Sequence, residues 1–438
     1  MPTLNKIGTV LSRSHRAASA ARTAPTAAVD PALRTLRTAL TVFFAVDGFL
    51  FAGWVVRIPA IKAQVGASAG QLGLALLGVS AGAVATMVLT GRLCRAFGSE
   101  RVTVATGVML AFSIALPPRT HSALALGLVL LCFGVSYGGL NVAMNSVAVD
   151  LVAALRRPVM SSFHAAYSLG GLLGAGLGGI LAPHLSPATH LLLLTPIGLA
   201  AILPAGRVLV AHPIGRTPAQ TKPAPAAQTP ATQPSTSQAP GAQAPTAPPR
   251  PAAGGHPAVL VAVFGLIAAC TAYGEGALAE WGPLHLQQDL HTGPGLAAAG
   301  YACVALAMTL GRLSGTTLIE RFGRTRALVL GGLTACGGML IGALAPLAPL
   351  VMVGFAITGL GLANLFPTAI ARAGELTGPS GVAAASTFGY GGMLLGPPSI
   401  GFLTDAFGLP TALTTVAALA AVAAGIAWSV RREGAGAR

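Results

Sequence analysis

The chain has 438 residues, of which 53% are hydrophobic and only 8% charged, and its formal net charge is +15. A soluble chain carries about 25% charged residues, so a mean hydropathy of +0.73 excludes water as the solvent for most of this one. The positive balance alone would suit nucleic acid, but the placement of the charges along the chain excludes that partner too.

Residues 1–37 form a basic, Ser- and Ala-rich tail with no convincing cleavable signal; a transit peptide is the alternative reading. Apolar runs of spanning length follow near 38–60, 70–91, 102–118, 122–149, 161–183 and 189–206. Residues 213–256 then hold eleven prolines and no aromatic residue. A segment that cannot bury apolar area stays disordered, so this reads as a cytoplasmic linker. Six more runs lie near 257–281, 296–319, 327–345, 348–371, 381–403 and 410–430, before a short tail at 431–438. The reading is an all-α polytopic membrane protein of twelve spans, with six-helix bundles at 38–212 and 257–430. With the N-terminus inside, every Lys and Arg except Arg57, Lys62, Arg119 and Arg312 falls in or beside a cytoplasmic segment. That asymmetry is the positive-inside rule, and it expects both termini in the cytoplasm. The five cysteines are odd in number and lack CxxC spacing, so they read as packing residues, with no disulfide framework and no metal site.

Span 1 contains "FFAVDGFLFAGW", in which Asp47 lies ten residues from both Arg37 and Arg57. A helix rises about 1.5 Å per residue, which puts Asp47 near the bilayer midplane, where a charged carboxylate costs at least ~2.5–3.5 kcal/mol. One reading makes Asp47 a proton-coupling or substrate group, because protonation would remove that charge. The other makes it structural, hydrogen-bonded or paired to a cation such as Arg312. Span 4 carries Tyr137, Asn141 and Asn145 at i, i+4 and i+8, a polar stripe suited either to a hydroxylated solute or to bonding between helices. Span 5 places Ser161, His164, Tyr167 and Ser168 on one face. His164 titrates near neutrality and is a candidate relay or a structural residue, and Gly170, Gly174 and Gly178 have the spacing of close helix packing. In span 7, Glu275 has no Lys or Arg within twenty residues on either side, while Glu280 and Trp281 read as anchors nearer the outer interface.

The remaining candidates sit toward helix ends. Arg57 and Arg312 read as gate residues or snorkelling anchors. Asp150 with Arg156 and Arg157, and Arg372 with Glu375, are placed for salt bridges at cytoplasmic ends. Pro367 is expected to kink span 10, and Pro397-Pro398 to break span 11.

The two halves echo each other in order. "VDGFLFAGW" answers "GEGALAEW", pairing Asp47 with Glu275 and Trp54 with Trp281. "GRLCRAFGSERV" answers "ERFGRTRAL", "GGLNVAMN" answers "GLGLANLFP", which adds Asn364, and "HAAYSLGGLLG" answers "STFGYGGMLLG". Two six-helix repeats joined by a long cytoplasmic loop resemble the major facilitator superfamily. Its loop 2-3 signature, G-x-x-x-D-R-x-G-R-R, keeps Gly91 and Gly98 here but has Arg95 in the aspartate position. The copy after span 8 keeps Glu320, Arg321, Gly323 and Arg324, residues that such a signature would use for gating. In detail, "WVVRIPAIKAQVGASAGQLG", "NVAMNSVAVDL", "RRPVMSSFHAAYSLGGLLGA", "EGALAEW" and "TLGRLSG" resemble the fucose-permease-like branch and its uncharacterised YbjJ-type inner-membrane permeases.

That resemblance implies a secondary transporter, monomeric in the bilayer, that moves a small polar solute with protons. It would use Asp47, Glu275 and His164 for coupling, and Tyr137, Asn141, Asn145, Tyr167, Asn364 and Trp54 toward the solute. Proton-driven efflux of a drug or secondary metabolite is the alternative, and a membrane sensor or intramembrane enzyme is the remote one. No nucleotide-binding loop, nucleophile-base motif or cofactor motif appears, so no cofactor is expected and the energy source is an ion gradient. An Ala-, Gly- and Arg-rich composition with three lysines points to a GC-rich bacterial genome and hence to the bacterial cytoplasmic membrane.

Overall fold

The structure, a computed structural model, describes residues 31–156, 159–213, 257–377 and 379–430. The expected basic tail before Pro31, the linker from Ile214 to His256, the tail from Arg431 and the loop residue Arg157 lie outside the described residues. The first half comprises α1 (Pro31–Val55), α2 (Ile58–Val65), α3 (Ala69–Phe97), α4 (Ser99–Ser113), α5 (Ala123–Leu155), α6 (Met160–Leu181) and α7 (Pro187–Ala211). The second comprises α8 (Pro257–Gln288), α9 (Pro294–Phe322), α10 (Arg324–Leu344), α11 (Ala348–Leu362), α12 (Leu365–Thr377), α13 (Pro379–Phe407) and α14 (Leu409–Val430).

Among the described residues, 10 helices are long and apolar enough to cross a membrane, counting α11 and α12 together. With α6 (22 residues) and α13 (29 residues) they make twelve spans. Leu124, Ile180, Leu313 and Leu395 point outward, each more than half exposed. That is the arrangement expected where the surrounding solvent is lipid and the backbone must satisfy itself inside helices.

The two halves share one packing plan. In the first, span 1 packs on spans 5 and 6, span 2 on span 4, and span 3 on spans 4 and 6; the second repeats each pair six spans later. The turn after span 2 and the turn after span 8 both rest on a glycine with positive φ, Gly98 (91°) and Gly323 (77°), so the echo "AFGSER"/"RFGRTR" is one turn used twice. Glycines also set the helix contacts. A Cβ at Gly170 would lie 1.9 Å from the Ala45 carbonyl oxygen, and one at Gly174 would lie 2.4 Å from that of Phe49. At Gly392 a Cβ would lie 2.1 Å from the Ala269 oxygen.

Of the two expectations about proline, the one for span 11 needs correction and the one for span 10 holds. Pro397 and Pro398 do not break span 11, because α13 continues through both to Phe407. Span 10 does break, at Ala363 and Asn364, and Pro367 falls in the first turn of α12, where a missing N–H costs nothing.

Spans 2 and 11, and spans 5 and 8, form the interface between the bundles. Its described hydrogen bonds and closest glycine contacts run from the middle of the membrane to the side away from the chain ends. There the Asp405 carboxylate, at the end of α13, caps α3 of the other bundle. It accepts from Ser68 Oγ (2.9 Å), Ala69 N (3.0 Å) and Gly70 N (2.8 Å). Ser68 Oγ accepts from Gln71 N and Gln71 Oε1 from Ser68 N, a capping box that completes the satisfaction of this helix start. Burial pushes the nearby Lys62 ammonium below its ordinary range, and the Asp405 charge opposes that shift. Gly73 against the Pro397 carbonyl and Gly179 against Gly295 continue the seal.

Gly170→Ala is expected to destabilise the protein by about 1–3 kcal/mol, the cost of overpacking. Gly176→Ala, where a Cβ meets nothing within 4 Å, should be neutral or slightly stabilising. Thermal unfolding of the detergent-purified variants measures both.

Candidate functional site

Asp47 is fully buried, and neither carboxylate oxygen has a hydrogen-bond partner among the described residues. Backbone contact holds it there. A Cβ on its neighbour Gly48 would meet the Tyr167 carbonyl oxygen at 2.0 Å, so α1 lies directly on α6. Tyr167 and Tyr137 share a hydrogen bond between hydroxyls (2.9 Å), and the Asp47 carboxyl lies within electrostatic reach of both phenols. Phe51, one turn from Asp47, stacks on Tyr137 with centroids 5.2 Å apart, and Tyr137 stacks in turn on Phe133. Arg312, the cation offered by one of the readings of Asp47, pairs elsewhere.

Arg312 is not near a helix end, as its sequence position suggested, but lies mid-helix in α9. Its Nη2 donates to Glu275 Oε2 of α8 (3.3 Å), and its Nη1 donates to Ser168 Oγ of α6 in the other bundle (3.3 Å). The two side chains of the ion pair are 30% and 29% exposed, whereas Asp47 is sealed. His164, with its ring edge on Phe44, lies within the field of Arg312. Tyr301 feels both Glu275 and Arg312, and Tyr301 and Tyr390 both lie within reach of Tyr137. The chain holds five tyrosines, and four of them gather around this one region. Tyr301 and Tyr390 were missed in the sequence. Tyr390 stood inside the quoted span 11 echo, and the scarcity of tyrosine was the other available signal.

The pairing of Asp47 with Glu275 also needs correction. Gly170 and Gly174 face Ala45 and Phe49, while their counterparts Gly392 and Gly396 face Ala269 and Tyr273. That register makes Thr271 the equivalent of Asp47 and Phe51 the equivalent of Glu275. The sequence echo is displaced by four residues, one helical turn, which preserves the face and moves Glu275 about 6 Å further from the side of the chain ends.

Asn141 and Asn145 are partly exposed on α5, and their described bond is internal, with Asn145 Nδ2 donating to Asn141 O (2.8 Å) and Oδ1 (3.2 Å). Asn364 instead donates to Gly311 O (2.7 Å), which fixes the break in span 10 against α9. Trp54 is buried against Phe133, and Trp281 is buried as well, so these two rings are core in this state. Glu280 is 5% exposed and its Oε2 has no hydrogen-bond partner among the described residues, and with Trp281 buried beside it neither is an interfacial anchor. Arg57 does not snorkel. It is buried and donates from Nε to His190 Nδ1 (2.8 Å) and from Nη1 to Ala182 O (3.4 Å), clamping the end of α1 onto its own bundle.

At the chain-end side, Glu375 accepts from Arg372 (2.8 Å) and pairs with Arg324, so this cluster closes within the second bundle. Glu320 and Arg321 stand exposed at the end of α9 with no described ion pair, and Asp150 is half-buried near the end of α5.

The model of the Major Facilitator Superfamily matches residues 38–319 and 264–437. An uncharacterized MFS-type transporter of Yersinia pestis is 30% identical over 92% of this chain and 98% of its own. An uncharacterized transporter of Sinorhizobium fredii is 31% identical over 88% and 95%. Membrane protein MosC of Rhizobium meliloti is 27% identical over 94% and 95%. Among solved structures, a bacterial homolog of the human lysosomal transporter Spinster, inward-facing and unoccupied, superposes with a TM-score of 0.70 at 14% identity, over 92% of this chain and 98% of that one. The nucleoside transporter NupG does so at 0.64 and 12%, over 90% and 98%. The chain belongs to the major facilitator superfamily, whose members are membrane transporters and not enzymes.

Proposed function

We propose that this protein is a proton-coupled secondary transporter of a small polar solute, working by alternating access in a bacterial cytoplasmic membrane with both termini inside. The observation that carries the reading is the one-sided seal. The described contacts between bundles run from the membrane middle to the side away from the chain ends, so the site communicates with the side that holds them. With the positive-inside orientation this is an inward-facing state, the state named for the Spinster homolog. Rocking the two rigid bundles about the central site would open the Asp405 side and close the other.

Asp47 and Glu275 take different parts in such a cycle. A charged carboxylate buried with no hydrogen-bond partner among the described residues is costly, so Asp47 is assigned the proton that the cycle carries. Glu275 and Arg312 face the solute. The hydroxyls of Tyr137, Tyr167, Tyr301 and Tyr390 and the amides of Asn141 and Asn145 offer donors and acceptors for a solute rich in such groups.

Two results are expected. In pyranine-loaded proteoliposomes challenged with a panel of polar metabolites, the wild type acidifies the lumen with its substrate, and Asp47→Asn lowers that proton flux at least tenfold. Asp405→Ala removes a cap across the seal, and caps are worth about 0.5–2 kcal/mol. Given its exposed position, it should raise labelling of a single cysteine in place of Ser80, whose hydroxyl donates to Met393 O across the same interface, by roughly threefold to tenfold from the outer side.

A further inference from the structure

We infer that the solute carries a carboxylate or similar single anionic group, that Arg312 binds it, and that Glu275 is the resident counter-ion it replaces. This rests on the transport reading and specifies the solute for the same site.

Position comes first. By place in the helices, Arg312 is the one Lys or Arg among the described residues that lies in the middle of the membrane. A cation there is expensive and needs a use. Its present partners use little of it. A guanidinium offers five N–H donors in a fork suited to two parallel bonds with one carboxylate. Here one N–H reaches Glu275 and one reaches Ser168, both at 3.3 Å, where charge-assisted bonds settle at about 2.7–2.9 Å. Glu275 Oε1 is buried with no hydrogen-bond partner among the described residues, so a single bond joins the pair.

Access and charge point the same way. Arg312 is 30% exposed, so its fork can be reached. A cationic solute would need a free and reachable carboxylate, but Asp47 and Glu280 are sealed, and the Glu275 oxygen that Arg312 leaves free is buried. An anion arriving at Arg312 leaves Glu275 unpaired, and a proton on Glu275 then restores neutrality. Tyr301 of α9 and His164 of α6 lie in the field of Arg312, Tyr137 and Tyr167 stand near Tyr301 and Tyr390 near Tyr137, while Asp47 is sealed behind the Tyr137–Tyr167 pair. Arg312 also touches Ser168 across the bundle interface, so a ligand that reorients its fork acts on the contact that moves in the cycle.

Acetate is the minimal probe. In purified Glu275→Gln protein, where Arg312 has lost its counter-ion, tens of millimolar sodium acetate should raise Tm by about 2 °C. Acetamide, or sodium chloride at equal ionic strength, should not, and Glu275→Gln with Arg312→Gln should show no response to acetate. Glu275→Ala, which leaves room for the added carboxylate, serves if the glutamine variant does not fold. Equal shifts with acetamide or chloride, a response kept without Arg312, or no response at all would overturn the anion site. If the pyranine assay then still shows proton-linked flux of a neutral polyol, the transport reading stands without it; that reading fails on its own if no solute in the panel moves protons.

Discussion

Main chain resting on main chain is the contact from which the other features follow. Where Gly170 and Gly174 meet the carbonyls of Ala45 and Phe49, there is no room for even a methyl group. In lipid, helices gain nothing from excluding water between them, so close approach and dispersion must supply the cohesion. The same contact fixes the height of α1 against α6. It therefore places Asp47 beside the Tyr137–Tyr167 phenol pair and seals it from the central space. Its counterpart at Gly392 and Gly396 sets the height of α8, and with it the height of Glu275.

The symmetry of the frame and the asymmetry of its chemistry are separate facts. The same five helix pairs recur in both halves, and both halves turn on an equivalent glycine, so the scaffold is duplicated. The polar groups are not. The first half holds Asp47, buried with no hydrogen-bond partner among the described residues, and the second holds an accessible acid-base pair one helical turn away in register, with the buried Glu280 further along the same helix. Two carboxylates at different depths with different neighbours are suited to different duties.

Much of this was legible in the sequence for physical reasons. Twelve apolar stretches, the glycine spacing of span 5 and the cost of a carboxylate at Asp47 each follow from what lipid demands of a chain. The register of the repeat was not legible, because a slip of four residues keeps a helix face unchanged and short motifs align equally well either way. The company of Arg312 was also hidden: Glu275 is 37 residues away and Ser168 is 144, and only tertiary packing joins them. Burial of Trp54, Arg57 and Glu280 escaped for a related reason. Position along a helix gives depth in the membrane, but it does not say which side faces another helix.

The Asp405 cap has a consequence for how such a protein can vary. Two of its three partners are peptide N–H groups, and every residue except proline supplies one of those. No ordinary substitution in α3 can delete these two donors, while Gly70 leaves no space for a larger residue, since a Cβ there would lie 2.6 Å from Asp405 Oδ2. The strength of this cap is thus set mainly by the residue at position 405. Relatives that need a looser or tighter outer door would be expected to differ at position 405 while keeping a small residue at position 70.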